Sequence, residues 1–284
     1  METVLKGAKT TVVISRGGPT VIIGERINPT GRKKLAASLT AGDLSIVRKE
    51  ALKQVAEGAD VIDVNVGAAG VDEVKLLPEV VKVVAEAVDV PLCIDTANPQ
   101  ALAEALKVCP GRPLVNSVNG EERSLQAVLP LVKEHNVPVI GLLMGEGGIP
   151  DTVEGRLEIA RKIRDRAARL GIPQDDLIFD CLALTVSINI QAAHVTLETI
   201  RRIATEMGNN VALGASNVSF GLPDREVINA SFMALAIAAG VTCPITNPAQ
   251  LKQMILATDL LLGRDEWAMR YITYFRSLPK ESRT

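Results

Sequence analysis

The chain is poor in the side chains on which nucleophilic and metal-assisted chemistry most often depends. Its 284 residues include two histidines and four cysteines. Cys93, Cys109, Cys181 and Cys243 are scattered, three of them in or beside apolar runs, without the C-x-x-C or His-paired spacing that holds zinc or an iron–sulfur cluster. They read as core thiols in a reducing cytoplasm, and no intrinsic metal is expected. His135 ends a helical pattern and His194 stands beside alanines in a connection, so both read as structural. No G-x-S-x-G elbow, P-loop or G-x-G-x-x-G follows a strand in the right context, which removes support from nucleophilic hydrolysis, nucleoside triphosphate cleavage and dinucleotide redox chemistry. A dominant charge is missing too. With 31 Lys and Arg against 33 Asp and Glu there is no electrostatic footprint for nucleic acid or an anionic membrane. The longest apolar stretch, Phe232 to Val241, is about half the ~20 residues of a membrane span, and the amino terminus lacks a signal-peptide core. A cytoplasmic protein with a small-molecule or ordinary protein partner is expected.

No composition break or proline-rich linker divides the chain, so residues 1–284 are expected to form one domain, with 1–20 as an amino-terminal extension. What is present is a repeated pattern. Short runs of Val, Ile and Leu are cut off by Asp, Asn or Glu in VIIGERIN at Val21, VIDVNVG at Val61, PLCIDTAN at Pro91, PLVNSVN at Pro113, LIFDC at Leu177 and VALGASNVS at Val211. Continuous apolar runs mark strands buried on both faces, and side chains at the carboxyl ends of such strands form the active face of α/β folds. After a hairpin turning at Gly17-Gly18, eight strands are expected at Val21–Ile23, Val61–Val64, Leu92–Ile94, Leu114–Val115, Val139–Leu143, Leu177–Phe179, Val211–Leu213 and Val241–Ile245, alternating with helical patterns. An open sheet also alternates in this way. A residue from the end of nearly every strand converges more readily in a closed α/β barrel.

The converging residues are Glu25, Asn28, Asp63, Asn65, Asp95, Asn98, Asn116, Asn119, Asp180 and Asn217. A carboxylate at the end of a buried strand is costly unless donors face it. Asp95 either faces such donors or caps the helix that begins near Asn98; Asp180 poses the same question. An aminopyrimidinone edge, as in guanine or a pterin, offers an amine and a ring N–H side by side, which one carboxylate accepts together. Each bond to an ionised acceptor contributes roughly 1.5 to 3 kcal/mol, enough for a pair of acids to hold a flat heterocycle at micromolar concentration. Asn116 and Asn217 offer both a donor and an acceptor, although asparagine also serves turns.

Taken together, GERIN at Gly24, DVNVG at Asp63, CIDTAN at Cys93, VNS at Val115, SNVSFGLPDR at Ser216 and NASFMALAIAAG at Asn229 resemble the pterin-binding methyltransferases that move a methyl group between tetrahydrofolate and a corrinoid protein. The resemblance runs from Val21 to Leu262. It implies a TIM (β/α)8 barrel, shared with dihydropteroate synthase and the folate-binding module of cobalamin-dependent methionine synthase. By the same resemblance Asp95, Asn116 and Asp180 hold the pterin, Arg225 lies close to the ring, Asn217 bonds N5, and Glu25, Asn28, Asp63 and Asn65 form the surrounding polar network. The substrates implied are tetrahydrofolate or 5-methyltetrahydrofolate and a corrinoid (cobalamin). The chain has no D-x-H-x-x-G motif, so the corrinoid is expected on a partner protein docking against the rim loops after Gly67, Met144 and Ser219. Homodimerisation, common in the family, is expected as well.

The extension ahead of GERIN and the loop SFGLPDR look like methyltransferases of demethylation systems, where methyl flows from methylcorrinoid to tetrahydrofolate. Two other readings use the same barrel. Dihydropteroate synthase calls for a Ser-x-Arg near the last strand; the last strand reads VTCPITNPAQ, and the SRT of the tail is too far along the chain. A noncatalytic folate-binding protein would keep Asp95 and Asp180 without needing an amide at N5.

Overall fold

The structure, a computed structural model, describes residues 1–278; the tail SRT lies outside them. The chain opens on an antiparallel hairpin of β1 (Glu2–Lys6) and β2 (Thr11–Ser15), registered Glu2↔Ser15 to Lys6↔Thr11. Its turn is Gly7–Thr10, closed by Gly7 N–H to the Thr10 carbonyl at 2.8 Å, and not Gly17-Gly18 as the glycine pair suggests. That pair follows β2, where Gly18 N–H donates to the Ser15 carbonyl as the chain leaves the hairpin. A glycine pair permits a turn without specifying which strands it joins. Register here follows burial: Leu5 and Ile14 are fully buried, and a slip of one residue would expose them.

The barrel strands are β3 (Ile23–Ile27), β4 (Val61–Val64), β5 (Leu92–Asp95), β6 (Leu114–Asn119), β7 (Val139–Leu142), β8 (Leu177–Asp180), β9 (Val211–Gly214) and β10 (Cys243–Thr246). All pair in parallel, and β10 closes on β3. Helices α1 (Lys33–Thr40) and α2 (Ser45–Ala56) lie between β3 and β4. They are followed in the later connections by α3 (Glu73–Ala87), α4 (Pro99–Val108), α5 (Glu122–His135), α6 (Val153–Arg169), α7 (Ala192–Arg202), α8 (Arg225–Ala239) and α9 (Pro248–Leu261). A last helix, α10 (Met269–Ser277), follows the barrel. Each of the eight expected strands has a counterpart, because a strand buried on both faces must be apolar throughout, although the first, expected at Val21–Ile23, begins at Ile23 and runs on through GERI to Ile27. Helices α1 and α10 carry weaker signals: the first spans two turns and the second buries no residue.

Side chains alternate across a strand. One set, including Ile22, Ile62, Ile94, Val115, Val139, Phe179 and Leu213, packs outward in the large core shared with the helices. The opposite set contributes one residue per strand to a second core inside the barrel: Ile23, Val61, Cys93, Leu114, Ile140, Ile178, Ala212 and Cys243, joined by Leu5 and Ile14. The hairpin therefore closes the amino-terminal end of the barrel with two apolar plugs. Function is left to the other end.

Gly58 and Gly240 follow α2 and α8 with φ of 96° and 134°, conformations that favour glycine at helix ends. Asn98 caps α4, its Oδ1 accepting from Gln100 and Ala101 N–H. Asp43 does similar work one residue before the α2 cap, accepting from Ser45 N–H at 3.0 Å. Asp224 sits at the α8 N-cap position, where an Asp often bonds the first-turn N–H groups, but it is in a left-handed conformation and makes no such side-chain bond.

Candidate functional site

One pleat above the apolar floor, period two dictates the next inward residue of each strand: Glu25, Asp63, Asp95, Asn116, Leu142, Asp180, Gly214 and Ile245. This layer holds four carboxyls and an amide beside apolar positions. Asn116 Nδ2 donates to Asp63 Oδ1 at 3.3 Å. Asn65 Nδ2 donates to Asp95 Oδ2 at 2.9 Å, while Asn65 Oδ1 accepts from Gly67 N–H. Asp180 Oδ1 accepts from Leu182 N–H at 2.8 Å.

These acids are short of donors. Burial pushes the Asp63 carboxyl well up, with the neighbouring Asp95 charge adding to the rise and the Cys93 thiol and Asn116 amide opposing it. Burial raises Asp95 to about 6, against the Asn65 bond and with help from Glu73. Asp180 is likewise raised by burial to about 6, opposed by N–H groups of Leu182 and Gly214 and by the Arg156 charge. Glu25 is raised by burial and lowered by Arg26. Such a ring of acceptors is chemically matched to a flat ligand rich in N–H donors. Asp95 does not cap α4: Asn98 does that, with Thr96 Oγ1 accepting from Asn98 N–H.

At the rim, β9 runs into a 3-10 turn, Ala215–Ser219, which carries Asn217 exposed at the mouth. Arg225, the first residue of α8, ties this turn down: its Nε donates to Ser219 Oγ at 2.9 Å and its Nη2 to the Ser216 carbonyl at 2.7 Å. Ser219 Oγ in turn donates to Asn229 Oδ1. The guanidinium lies 6.0 Å from the Phe220 ring centroid. Two cavities border the mouth: one of ≈ 550 Å³ with Asp95, Ser117, Asn119, Leu142 and Met144 in its wall, and one of ≈ 710 Å³ with Glu25, Arg26, Ser216, Arg225 and Asn229.

The remaining asparagines are engaged locally. Asn28 Oδ1 accepts from Thr30 N–H and Asn119 Oδ1 from Glu121 N–H, both at 2.9 Å, which are Asx turns. His194 lies exposed in α7, and His135 is the last residue of α5. Cys93, Cys181 and Cys243 are buried, Cys109 partly so. Among the described residues no group of three or more His, Cys, Asp and Glu is disposed to hold a metal ion, and no helix is long and apolar enough to cross a membrane.

The residue that sequence reading passed over is Arg156. It is fully buried in α6, with Nε donating to the Pro150 carbonyl at 2.9 Å and Nη1 to the Cys181 and Leu182 carbonyls at 2.6 and 3.0 Å and to Thr196 Oγ1 at 3.1 Å. Its Nη2 has no hydrogen-bond partner among the described residues. Arg156 thereby clamps the segment after β8, whose Leu182 N–H reaches Asp180. A signal existed: Arg156 shares a buried stripe with Ala160, Ile163 and Ala167, a place where an arginine is out of pattern.

Comparison with known proteins places this geometry. The profile of the pterin binding enzymes matches residues 24–247, from the second residue of β3 to the residue after β10. The chain belongs to the pterin-binding enzymes. It is 32% identical over 269 residues to the methylcorrinoid:tetrahydrofolate methyltransferase of Eubacterium limosum, a match covering 90% of this chain and 96% of that one. It is 28% identical over 276 residues to the methionine synthase of Mycobacterium tuberculosis, where the match covers 90% of this chain but 23% of the synthase. The Yersinia pestis dihydropteroate synthase in a sulfonamide complex superposes with a TM-score of 0.71, covering 93% of this chain and 99% of that one at 16% identity, which shows a common fold. The acids of this pterin-binding enzyme thus stand at the carboxyl-terminal face of a barrel that its structural relatives share.

Proposed function

We propose that the protein catalyses reversible methyl transfer between N5 of 5-methyltetrahydrofolate and the cobalt of a corrinoid carried by a separate protein. The observation that carries this reading is the buried, donor-poor set of Asp95, Asn116 and Asp180 beneath an exposed amide, Asn217, in a chain similar over its length to a methyltransferase named for these two substrates. That relative's name also supports delivery of methyl from methylcorrinoid to tetrahydrofolate as the direction used.

In this reading the aminopyrimidinone edge of the pterin donates to Asp95 and Asp180, Asn116 bonds its rim, and Leu142 and Ile245 give the ring apolar surface. Asp63 and Asn65 hold Asn116 and Asp95 in place. For transfer from folate, Co(I) supplies the electron pair of the new Co–C bond as the N5–C bond breaks, and N5 departs as a neutral amine only if it gains a proton from solvent. In reverse, N5 attacks the methyl, the Co–C pair returns to cobalt and N5 loses its proton. The Asn217 amide can donate to unprotonated N5 or, turned over, accept from protonated N5, and so stabilises the charge that develops there. Arg225 holds the turn on which Asn217 sits. No side chain carries the methyl group.

Stopped-flow mixing of the protein with 5-methyltetrahydrofolate and cob(I)alamin tests this directly. Loss of the Co(I) absorbance with appearance of methylcobalamin is expected, faster when a cognate corrinoid protein replaces free cobalamin. Folate binding without transfer to either acceptor would leave a noncatalytic folate-binding protein. Condensation of a pterin pyrophosphate with p-aminobenzoate would instead identify a dihydropteroate synthase.

A further inference from the structure

Positive charge is concentrated where the barrel mouth meets α1. A cavity of ≈ 590 Å³ opens between the loop leaving β3 and the first turns of α2, with Arg32, Lys33, Lys34, Lys49 and Glu50 in its wall. Its one carboxylate is already paired, Arg32 Nη2 standing 2.8 Å from Glu50 Oε1. Lys33, Lys34 and Lys49 are exposed and make no ion pair among the described residues, in a chain whose overall net charge is −2. Lys33 and Lys34 also open α1, the end of a helix that disfavours cations; the first turn has no acidic residue. Lysines set against the local preference and facing a third uncompensated lysine keep this surface positive for a ligand.

Its place on the barrel indicates which ligand. Thr30 belongs to the wall of the mouth cavity that contains Glu25, Ser216 and Arg225, and Gly31 to the wall of the cationic cavity. The Thr30–Gly31 segment thus divides the two. Gly31, with φ of 70°, has no side chain and open space where a Cβ would stand, which leaves its half of the divide low. A substrate whose ring lies among the inner acids and whose tail leaves over the β3 rim delivers that tail to the lysines. In folates the tail ends in glutamate, and each further γ-linked glutamate adds one carboxylate. A slim polyanion suits a concave site between two helices better than the flat face of an acidic protein does.

We propose that the Lys33–Lys34–Lys49 cavity binds the γ-linked oligoglutamyl tail of tetrahydrofolate, a polyanion subsite outside the pterin pocket. This inference rests on the folate reading above. Titration calorimetry with tetrahydrofolate monoglutamate and pentaglutamate separates the two. The pentaglutamate should bind about tenfold more tightly at low ionic strength, the gain expected from a few exposed ion pairs, and the advantage should shrink in high salt. In the Lys33→Gln/Lys34→Gln/Lys49→Gln protein the advantage should disappear while monoglutamate affinity stays unchanged and Tm does not fall. Equal affinity for both forms, or an advantage that survives the triple substitution, would overturn the subsite and leave the folate reading standing. Failure to bind even the monoglutamate would overturn both. Slower transfer with a corrinoid protein in the triple variant, at saturating monoglutamate and with no change in pentaglutamate affinity, would assign the lysines to protein docking instead.

Discussion

Replacing Asp95 by Asn should make the free protein more stable and the folate complex weaker. Asp95 ends β5, where it accepts a single side-chain bond, from the Asn65 amide, while burial and then the Glu73 charge raise its carboxyl. Its ordinary value of 3.8 becomes about 6 in the folded protein, so the folded state binds this proton more tightly than the unfolded chain does. The sign follows: folding stability falls as pH rises through the interval from 3.8 to about 6, and the deficit is complete above it. Such a rise corresponds to about 3 kcal/mol, an upper figure because solvent relaxation and neighbouring carboxyls share it. Asn keeps the shape and can still accept from Asn65, so at pH 8 a gain of about 1 to 3 kcal/mol is expected, a Tm higher by at least roughly 2 °C. At pH 4 the gain should nearly vanish. Tetrahydrofolate should meanwhile bind at least about tenfold more weakly, since a neutral acceptor replaces a charged one. Thermal melts at pH 4 and pH 8 together with calorimetry decide it. An Asp95→Asn protein less stable than the parent at pH 8, or one with unchanged folate affinity, would refute the view of Asp95 as an acceptor kept for a ligand at the expense of stability.

Asp95 and Asp180 must be ionised to accept two N–H donors, so folate affinity should be level above about pH 7 and fall toward pH 5, by up to about tenfold per unit for each group; calorimetry at pH 6 in buffers of different ionisation enthalpy should show proton release, and proton uptake would contradict it. Asn217→Ala should lower the single-turnover methyl-transfer rate by roughly 10² at saturating substrates, the scale of losing one preorganised donor, whereas an unchanged saturated rate would reduce Asn217 to a positioning role. Arg156→Met should raise the Asp180 carboxyl and move the pH midpoint of folate binding upward, with Arg156→Lys moving it back; a loss of Tm with an unmoved midpoint would make Arg156 a structural clamp alone.

Much of the barrel could be read directly from the sequence because parallel strands buried on two faces have no choice but to be apolar, and the break from apolar run to Asp or Asn marks where each strand emerges. Asp63, Asp95 and Asp180 were legible for that reason. The asparagines were not separable in the same way. Asn28, Asn98 and Asn119 follow or end apolar runs just as Asn65 and Asn116 do, yet the first three bond only to N–H groups two or three residues on, whereas Asn116 reaches a carboxylate 53 residues away and Asn65 does both, accepting from Gly67 N–H and donating to a carboxylate 30 residues away. An Asx turn and a bond to a distant acid use the same side chain, and local sequence does not distinguish them. The hairpin turn was misplaced because glycine licenses a bend without choosing its partners; Leu5 and Ile14 choose them by filling the barrel floor. Arg156 looked like one more cation on a charged helix until packing placed it on the buried stripe. By itself the sequence determined the alternation of strands and helices, the count of barrel strands and the kind of side chain at their ends, since these follow from local burial and periodicity. Only the tertiary structure decided which of those side chains meet, because closure of β10 on β3 joins segments more than 200 residues apart; it also brought Lys49 beside Lys33 and Lys34, a neighbourhood set by helix packing that no period in the chain encodes.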